Sequence, residues 1–170
     1  MYQKVKSVSE LAFDDDRYVV IYGKKGSYAQ KYAKKAGIPF KQLKKLPALK
    51  GITYTQGNLK YKVIDDTING KGKVMVVGAA KNAQAVTIGK TVKLESYNYT
   101  ITQISAKAFY KQNKLKKVTI KNNVIKTIGS NAFKGINNKA VITVPKACFK
   151  SYQKLLKKAG VKGQMKIKKN

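Results

Sequence analysis

The chain has 170 residues, and 43% of them are hydrophobic, which is enough to bury a core and argues against a disordered chain. Lysine and arginine number 37 against seven acidic residues, so the formal net charge is +30. With no histidine and one cysteine, the chain lacks the usual proton-transfer group and the commonest zinc ligand, and it cannot form an internal disulfide. No apolar run approaches the roughly 20 residues of a membrane-spanning helix, and the first residues do not have the pattern of a signal peptide. Composition therefore disfavours an enzyme and a membrane span.

The basic residues are almost all lysines, since Arg17 is the only arginine. Lysine is a hydrated point charge, whereas the planar guanidinium of arginine reads phosphates and guanine edges. A protein that reads a DNA sequence is expected to use more arginine. The lysines are spread from Lys4 to Lys169, which leaves two interpretations open. They keep the surface soluble, or they attract a polyanion such as nucleic acid, an anionic wall polymer or an acidic glycan.

The first predicted elements are a strand at 18–22, which ends at Gly23, and a helix that follows it. Ser27 is a good N-terminal cap for this helix, and Gly37 is placed to end it. Three residues at helical spacing are predicted to share one face of this helix: Tyr28, Tyr32 and Ala36. Residues 41–50 are then expected to form a linker.

Apolar and polar residues alternate through the stretch 51–80. This alternation is typical of strands that bury one face. The three predicted strands are 52–54, 59–64 and 74–77. Glycine and asparagine mark the turns between them, at 57–58 and 69–72. The sequence thus predicts a hairpin module before the second half of the chain.

Two segments of the second half, 101–109 and 125–133, repeat one another at an offset of 24 residues. Their common pattern is Ile-x-x-Ile-x-x-x-Ala-Phe, and two β-branched residues follow nine and eleven residues after the Phe. An earlier Val-Thr-Ile at 86–88 repeats the one at 118–120 at an offset of 32. The extra residues are expected in a longer loop or a hairpin at 95–99.

Each copy is too short to bury its own apolar side chains, so successive copies must stack into one core. The Val-x-Ile segments are expected to pair into a parallel sheet. The Ala-Phe turns are expected to place Phe109 and Phe133 in equivalent, neighbouring positions. One position departs from the pattern, because Lys139 stands where the first copy has Leu115, and the register of the last copy stays open.

After the last strand, Pro145 and Gly160 mark the start and end of an amphipathic helix. Its apolar residues are Phe149, Tyr152, Leu155, Leu156 and Ala159. Its opposite face carries Lys150, Lys154, Lys157 and Lys158. We interpret the helix as a lid on the exposed end of the stack, with a membrane-surface element as the alternative. Residues 165–167 are predicted to add one edge strand.

This pattern resembles the BspA-type leucine-rich repeats of bacterial cell-surface proteins. The matching residues are Ile101, Ile104, Ala108, Phe109, Leu115, Val118, Ile120, Ile125, Ile128, Ala132, Phe133, Ile142 and Val144. The run 21–40 is similar to the segment that ends a BspA-type array. The resemblance implies an α+β fold, a short leucine-rich-repeat solenoid with a parallel β-ladder, an N-terminal β-hairpin cap and a C-terminal helix cap.

The resemblance also implies a division into four regions. Residues 1–46 are expected to be the closing strand and helix of a preceding repeat array, with a linker, and 47–84 the N-terminal hairpin cap. Residues 85–145 are expected to hold the repeats of 24-residue period, and 146–170 the capping helix and edge strand. We therefore expect the chain to be a fragment of a longer secreted protein.

By the same resemblance, we expect a non-enzymatic, extracellular module at a bacterial cell surface, monomeric and without cofactor or metal. Its partner is expected to be a protein or another cell-surface macromolecule, bound in adhesion. A lysine-mediated, non-specific polyanion binder stays the alternative, with an anionic wall polymer or nucleic acid as ligand. The candidate contact residues lie on the predicted strand face and its flanking loops: Lys117, Thr119, Lys121, Lys126, Thr143 and Lys146.

Three further groups of residues have a functional and a structural interpretation. The acidic clusters at 14–16 and 65–66 are interpreted as solvated turns, because neither has the spacing of a calcium loop. Tyr97, Tyr99 and Tyr110 are interpreted as packing residues, with a stacking surface for single strands or sugar rings as the alternative. Cys148 is expected to be buried and inert.

Overall fold

A computed structural model of the chain describes residues 19–42, 47–66 and 71–170. The chain forms two compact units, Met1–Leu46 and Pro47–Asn170, and each is described by itself. The acidic cluster at 14–16 and part of the predicted turn at 69–72 lie outside the described residues.

The first unit contains two parallel strands joined by a helix. Its elements are β1 (Ile21–Gly23), α1 (Tyr28–Lys35) and β2 (Phe40–Gln42). The Ser27 side chain accepts a hydrogen bond of 3.4 Å from the backbone N–H of Gln30 at the start of α1. At its end, Gly37 adopts a left-handed φ of 66°. The predicted cap and stop are therefore confirmed.

The buried face of α1 lies part of a turn away from the face that Tyr28, Tyr32 and Ala36 share. Tyr32 and Ala33 are the buried residues, whereas Tyr28 is 40% exposed and Ala36 is exposed. The reason is the position of β1, because a Cβ added to Gly23 would lie 3.2 Å from the Ala29 Cβ. The stripe that faces the strands thus follows Ala29 at positions three and four residues later.

The predicted linker at 41–50 is wrong at both of its described ends. Lys41 and Gln42 belong to β2. Ala48 is fully buried in the second unit, where its N–H donates to the Tyr99 hydroxyl at 2.8 Å and its carbonyl accepts from that hydroxyl at 3.2 Å. Burial raises the pKa of Tyr99 above its usual value. The chain is thus fixed almost from the first residue of the second unit.

The second unit has two sheets and one α-helix among its described residues. The mixed sheet contains β3 (Thr53–Gln56), β4 (Leu59–Asp65), β5 (Lys73–Ala79), β7 (Thr91–Leu94), β8 (Tyr97–Ile104) and β10 (Thr127–Ile128). The repeat sheet contains β6 (Ala85–Ile88), β9 (Lys117–Ile120), β11 (Val141–Val144) and β12 (Lys166–Lys169). A 3-10 turn (Lys146–Cys148) precedes the helix α2 (Phe149–Lys158).

The mixed sheet begins with the predicted hairpin module. Its strand order is β10-β8-β5-β4-β3, with β7 paired to β8. The strands β3, β4 and β5 are antiparallel neighbours, as the alternation predicts, whereas β5 and β8 are parallel. The extra residues after the first Val-Thr-Ile form an antiparallel hairpin of β7 and β8, which turns at 95–96. Of the two predicted alternatives, the hairpin is correct.

The repeat sheet is parallel throughout, with the order β12-β11-β9-β6. The predicted parallel pairing of the Val-x-Ile segments is thus confirmed. One residue of each strand lies in register and points to the core: Val86, Val118, Ile142 and Ile167. Because successive side chains of a strand point to opposite faces, their neighbours lie on the solvent side.

The aromatic residues of the two repeat copies stack on one another. Phe109 and Phe133 are both fully buried, with ring centroids 5.1 Å apart and ring planes at 20°. The Phe109 N–H donates to the Ala132 carbonyl at 2.8 Å, and the Phe133 N–H donates to the Ala159 carbonyl at 2.9 Å. Equivalent turns are therefore bonded directly to one another, as the 24-residue offset predicts.

The backbone of the turns repeats as well. Lys107 and Asn131, which precede the Ala-Phe pairs, both have a φ of 56°. The deviation at Lys139 is resolved by its neighbours, since Ile136 and Ala140 are both buried and Lys139 is exposed. In the second copy, the buried residues Ile136 and Ala140 thus take the place in the core that Leu115 fills in the first.

Buried side chains also form hydrogen bonds with backbone groups of the repeats. Asn122 is fully buried, and its Nδ2 donates to the carbonyls of Gly89 at 3.0 Å and Ile101 at 2.8 Å. The backbone N–H of Ile125 donates to the Tyr152 hydroxyl at 3.0 Å, and burial raises the pKa of this tyrosine. These bonds satisfy groups that would be costly to bury without a partner.

The helix α2 lies with its apolar face on the core. Tyr152, Leu156 and Ala159 are buried, whereas its lysines are exposed: Lys150, Lys154, Lys157 and Lys158. The apolar residues are therefore covered by protein, which argues against the membrane-surface alternative. Among the residues that the structure describes, no helix has the length and apolar character that crossing a bilayer requires.

Candidate functional site

The solvent side of the repeat sheet, which we call the repeat face, is built from residues aligned across its four strands. One row contains Ala85, Lys117, Val141 and Lys166. The next contains Thr87, Thr119, Thr143 and Lys168. Adjacent parallel strands lie about 4.8 Å apart, so the threonine hydroxyl groups recur at this interval across three strands.

A shallow groove of about 440 Å³ lies on the repeat face. Its lining residues are Ala85, Val86, Thr87, Lys117, Thr119, Lys121, Thr143 and Asn170. They come from all parts of the repeat region, because the register of the sheet brings together residues that are far apart in the sequence. The groove is open, and its lining contains lysine and threonine side chains and no aromatic side chain.

The structure brings four of the six predicted contact residues together in this groove: Lys117, Thr119, Lys121 and Thr143. The other two lie elsewhere. Lys126 immediately precedes β10 in the mixed sheet, where its N–H donates to the Thr102 carbonyl at 2.9 Å. Lys146 begins the 3-10 turn after β11. Neither residue lines the groove.

Three residues of the repeat face were not among the predicted contact residues: Thr87, Lys166 and Lys168. Thr87 pairs with Thr119, which lies 32 residues later, as the predicted offset between the two Val-Thr-Ile segments requires. Lys166 and Lys168 alternate with the inward-facing Ile167 of the predicted edge strand. The signals were therefore present in the strand period, but the order of the strands in the sheet was needed to combine them.

The charge of the repeat face is positive, and no described acidic residue lies on its strands. Pro47–Asn170 contains 26 lysines against three acidic residues, a formal net charge of +23. All three acidic residues are described, and all lie at strand ends or turns of the mixed sheet. Asp65 pairs with Lys73 at 3.5 Å, Asp66 accepts from the backbone N–H of Lys50 at 3.2 Å, and Glu95 lies in the turn between β7 and β8.

A second polar depression lies beside the N-terminal ends of the repeat strands. It also has a volume of about 440 Å³, and its lining residues are Gln84, Asn113, Lys114, Lys116 and Asn137. The amides are engaged in part, since Asn137 Nδ2 donates to the Asn113 carbonyl at 3.1 Å. This depression extends the basic surface beyond the repeat face.

The other groups singled out in the sequence do not form a site. Tyr99 is 1% exposed and bonded to Ala48, so the three tyrosines do not make a common stacking surface. Cys148 is half-buried, with its Sγ 3.8 Å from the Asn123 carbonyl. Within the described ranges, no cluster of three or more potential metal-binding side chains is present.

A protein-family model matches residues 87–166. The matched family is described as a BspA type leucine rich repeat region (6 copies). Residues 87–166 are therefore similar to the BspA-type leucine-rich repeats. The resemblance that the Ile and Phe pattern indicated is thus confirmed, and β6, β9 and β11 of the repeat sheet lie almost entirely within the matched BspA-type repeats. No curated protein matches the sequence.

Several solved structures are similar to the chain. A leucine-rich repeat protein from Bacteroides capillosus ATCC 29799 is 15% identical, with a TM-score of 0.43, over 69% of this chain and 98% of its own. A leucine rich cell surface protein from Faecalibacterium prausnitzii A2-165 is 19% identical, with a TM-score of 0.35, over 58% of this chain. The match spans only 34% of the Faecalibacterium chain. The pneumococcal vaccine antigen PcpA is 15% identical, with a TM-score of 0.31, over 56% of this chain and 41% of its own.

Proposed function

We propose that the chain is a non-enzymatic interaction module that presents its repeat face to a protein or another macromolecule at a bacterial cell surface, in adhesion. Leucine-rich repeat regions generally mediate protein interactions, and stacked repeats create extended binding surfaces. The observation that carries the proposal is the groove on the repeat face, which combines four of the residues predicted from the sequence.

The regions around the repeats support this surface. The hairpin module β3–β5 and the helix α2 lie at the two ends of the repeat core, and we assign them as its N-terminal and C-terminal caps. Gly160 follows α2 with a φ of 99°, and a Cβ there would lie 2.9 Å from the Lys134 Cβ. The end of α2 thus occupies the place where a further repeat turn would stack.

The first unit is assigned as the closing segment of a preceding array. Its order of strand, helix and parallel strand is the same as that of β11, α2 and β12. The two helices also end alike. In the first unit the Ile38 N–H donates to the Ala33 carbonyl at 2.9 Å, and in the second the Val161 N–H donates to the Leu156 carbonyl at 3.0 Å.

The function is tested by filling the groove without changing the charge. The double variant Thr119→Trp and Thr143→Trp places two large side chains on the repeat face, where both threonines are half-buried. Binding of the fluorescently labelled full chain to intact bacterial cells and to immobilised matrix proteins is then measured. We expect the variant to lose at least tenfold in apparent affinity, since the groove is blocked.

A matched control is available in the mixed sheet. Thr53 and Thr55 are exposed on the edge strand β3, and the double variant Thr53→Trp and Thr55→Trp adds the same side chains at positions that do not line the groove. This control is expected to bind as the unchanged chain does. Equal binding by both variants, with both folded by circular dichroism, would contradict the proposal.

A further inference from the structure

We propose that the ligand of the repeat face is an acidic polysaccharide, a linear polyanion that carries its charges on a hydroxyl-rich, non-aromatic backbone. This inference rests on the proposed function and names the partner class of the same surface. Three features of the repeat face support it: its lysine charges, its threonine hydroxyl groups and the lack of aromatic side chains in its groove.

The lysines of the repeat face lie at spacings that suit a chain of anionic groups. Lys117 and Lys166 occupy one row two strands apart, which corresponds to about 10 Å. Lys117 and Lys121 lie four residues apart along the chain, which corresponds to about 13 Å in extended backbone. Lys168 lies in the neighbouring row. All four are exposed, so they can contact successive charges of one extended ligand.

The acidic residues that the structure describes do not lie on the strands of the repeat sheet. The acidic residues of the second unit are Asp65, Asp66 and Glu95, and each lies in or beside the mixed sheet. The positive charge of the repeat face is therefore available for a ligand. An anion bound here is attracted by the local lysines and by the net charge of the whole unit.

The threonine row supplies a second, uncharged type of contact. Thr87, Thr119 and Thr143 place three hydroxyl groups side by side on adjacent strands. Each hydroxyl both donates and accepts a hydrogen bond, so it matches the hydroxyl and acidic oxygens of a sugar chain. A row of rigid β-branched residues on a sheet presents these groups with little loss of conformational freedom.

The side chains that the groove lacks exclude binding by ring stacking, so a polysaccharide bound here is held through its charges and hydroxyl groups. The energetic centres of protein interfaces are enriched in Trp, Tyr and Arg, and single-stranded nucleic acid is bound by aromatic side chains that stack on its bases. The groove contains none of these, because its uncharged residues are small: Ala85, Val86, Thr87, Thr119, Thr143 and Asn170. Lysine point charges and hydroxyl groups thus favour a hydrophilic, flexible polyanion.

The test measures how tightly the full chain binds each of four oligomers of equal length. The probes are oligogalacturonate, with one carboxylate per sugar, oligoglutamate and oligothymidylate with the same number of charges, and neutral malto-oligosaccharide. We expect oligogalacturonate to bind at least fivefold more tightly than the other two anions, and the neutral sugar not to bind measurably. Tighter binding of oligoglutamate or oligothymidylate would overturn the inference in favour of an acidic protein or a nucleic acid.

A pair of charge-matched variants locates the binding. The face variant carries Lys117→Gln, Lys121→Gln and Lys168→Gln, and the control variant carries Lys150→Gln, Lys154→Gln and Lys157→Gln on the exposed side of α2. Both lose three charges. We expect the face variant to bind oligogalacturonate at least tenfold more weakly. The slope of log K against the logarithm of the salt concentration is expected to become shallower by about 2, which is about 0.7 for each lysine contact that is lost.

The control variant is expected to change the affinity less than threefold. An equal loss in the two variants would show that binding follows the diffuse net charge, and would overturn the assignment to the repeat face. The two proposals can fail separately. If the double variant Thr119→Trp and Thr143→Trp abolishes binding to cells while the face variant still binds cells, the polysaccharide inference is wrong and the proposed function stands.

Discussion

The two repeat copies, 101–120 and 125–144, follow one pattern but stack on different neighbours. The first copy lies on the hairpin module, where the Ser105 N–H donates to the Val76 carbonyl at 2.8 Å. The second lies on the first copy, where the Gly129 N–H donates to the Ile104 carbonyl at 2.9 Å. Ser105 and Gly129 are equivalent positions, so the same turn accepts a side chain in one copy and none in the other.

The difference shows which positions are set by the pattern and which by the adjacent backbone. The inward-facing Phe109 and Phe133 are the same in both copies, because each must fill the shared core. A Cβ at Gly129 would lie 2.2 Å from the Ala106 nitrogen, so only glycine fits there. Equivalent positions of the two repeats thus differ in whether they have room for a side chain.

The largest effect is expected when the aromatic stack is broken. Phe133→Ala removes a fully buried ring that contacts Phe109 at 5.1 Å between centroids. We expect a loss of about 3–5 kcal/mol in the free energy of unfolding, measured by urea denaturation. The milder Phe133→Leu keeps the protein measurable if the alanine variant does not fold. A loss below about 1 kcal/mol for either variant would show that the copies do not share one core.

The comparison of Ser105 with Gly129 is sharpened by making both alanine. Gly129→Ala is expected to destabilise the protein by about 1–3 kcal/mol, since the backbone of Ala106 must move to admit the methyl group. Ser105→Ala is expected to change stability by less than about 0.5 kcal/mol, because the Ser105 hydroxyl is bonded only at the exposed Ala106 carbonyl. Thermal unfolding of the two variants measures the difference directly. Similar values would contradict the role given to the neighbouring backbone.

A pH effect is expected from the tyrosines that hold each copy. Burial raises the pKa of Tyr99 and Tyr152 in the folded state, whereas in the unfolded chain it is about 10. Their contribution to stability is therefore fully present below pH 10 and is lost as the pH rises through the folded-state pKa. Urea denaturation between pH 8 and pH 11 should show constant stability up to about 9.5 and a decline above it.

The tyrosine explanation has its own control. Because phenylalanine cannot ionise, the double variant Tyr99→Phe and Tyr152→Phe is expected to have lower stability at pH 8 but a shallower decline at high pH. The lower starting value follows from the lost hydrogen bonds to Ala48 and Ile125. An unchanged decline would assign the pH effect to other groups.

The smallest effect is expected at the second left-handed position of the turn. Lys111 has a φ of 58°, whereas its equivalent Gly135 has a φ of 80°. Lysine is strained in this region and glycine is not, so Lys111→Gly is expected to stabilise the protein by about 0.5–1 kcal/mol after the entropy of the unfolded chain is included. Gly135→Lys should destabilise it, since its Cβ would lie 3.2 Å from the Lys111 Cα. Differential scanning calorimetry of both variants checks the signs.

Much of the repeat region could be predicted because its information is local and periodic. The Phe109–Phe133 contact and the parallel pairing of the Val-x-Ile strands each follow from a pattern within one or two copies. The buried face of α1 could not be predicted in this way, because it depends on where Gly23 approaches Ala29. Such an approach leaves no periodic signal in the sequence.

The candidate site was predicted in the same partial way. Thr119 and Thr143 could be found because they alternate with buried residues at the 24-residue offset. Lys126 and Lys146 do not line the groove, since the residues that follow them enter the mixed sheet and the 3-10 turn. Their part in partner binding stays a prediction. Lys166 and Lys168 were omitted because nothing in the sequence states that β12 pairs with β11.

The sequence by itself determined which side chains point inward and that successive copies must stack, because the strand period and the repeat length are properties of the chain alone. Only the tertiary structure decided which outward residues share one face, and which turns have room for a side chain. These depend on the register between strands that are remote in sequence and on the approach of one backbone to another. The strand register and the backbone contacts are determined only when the repeats pack against one another in the folded protein.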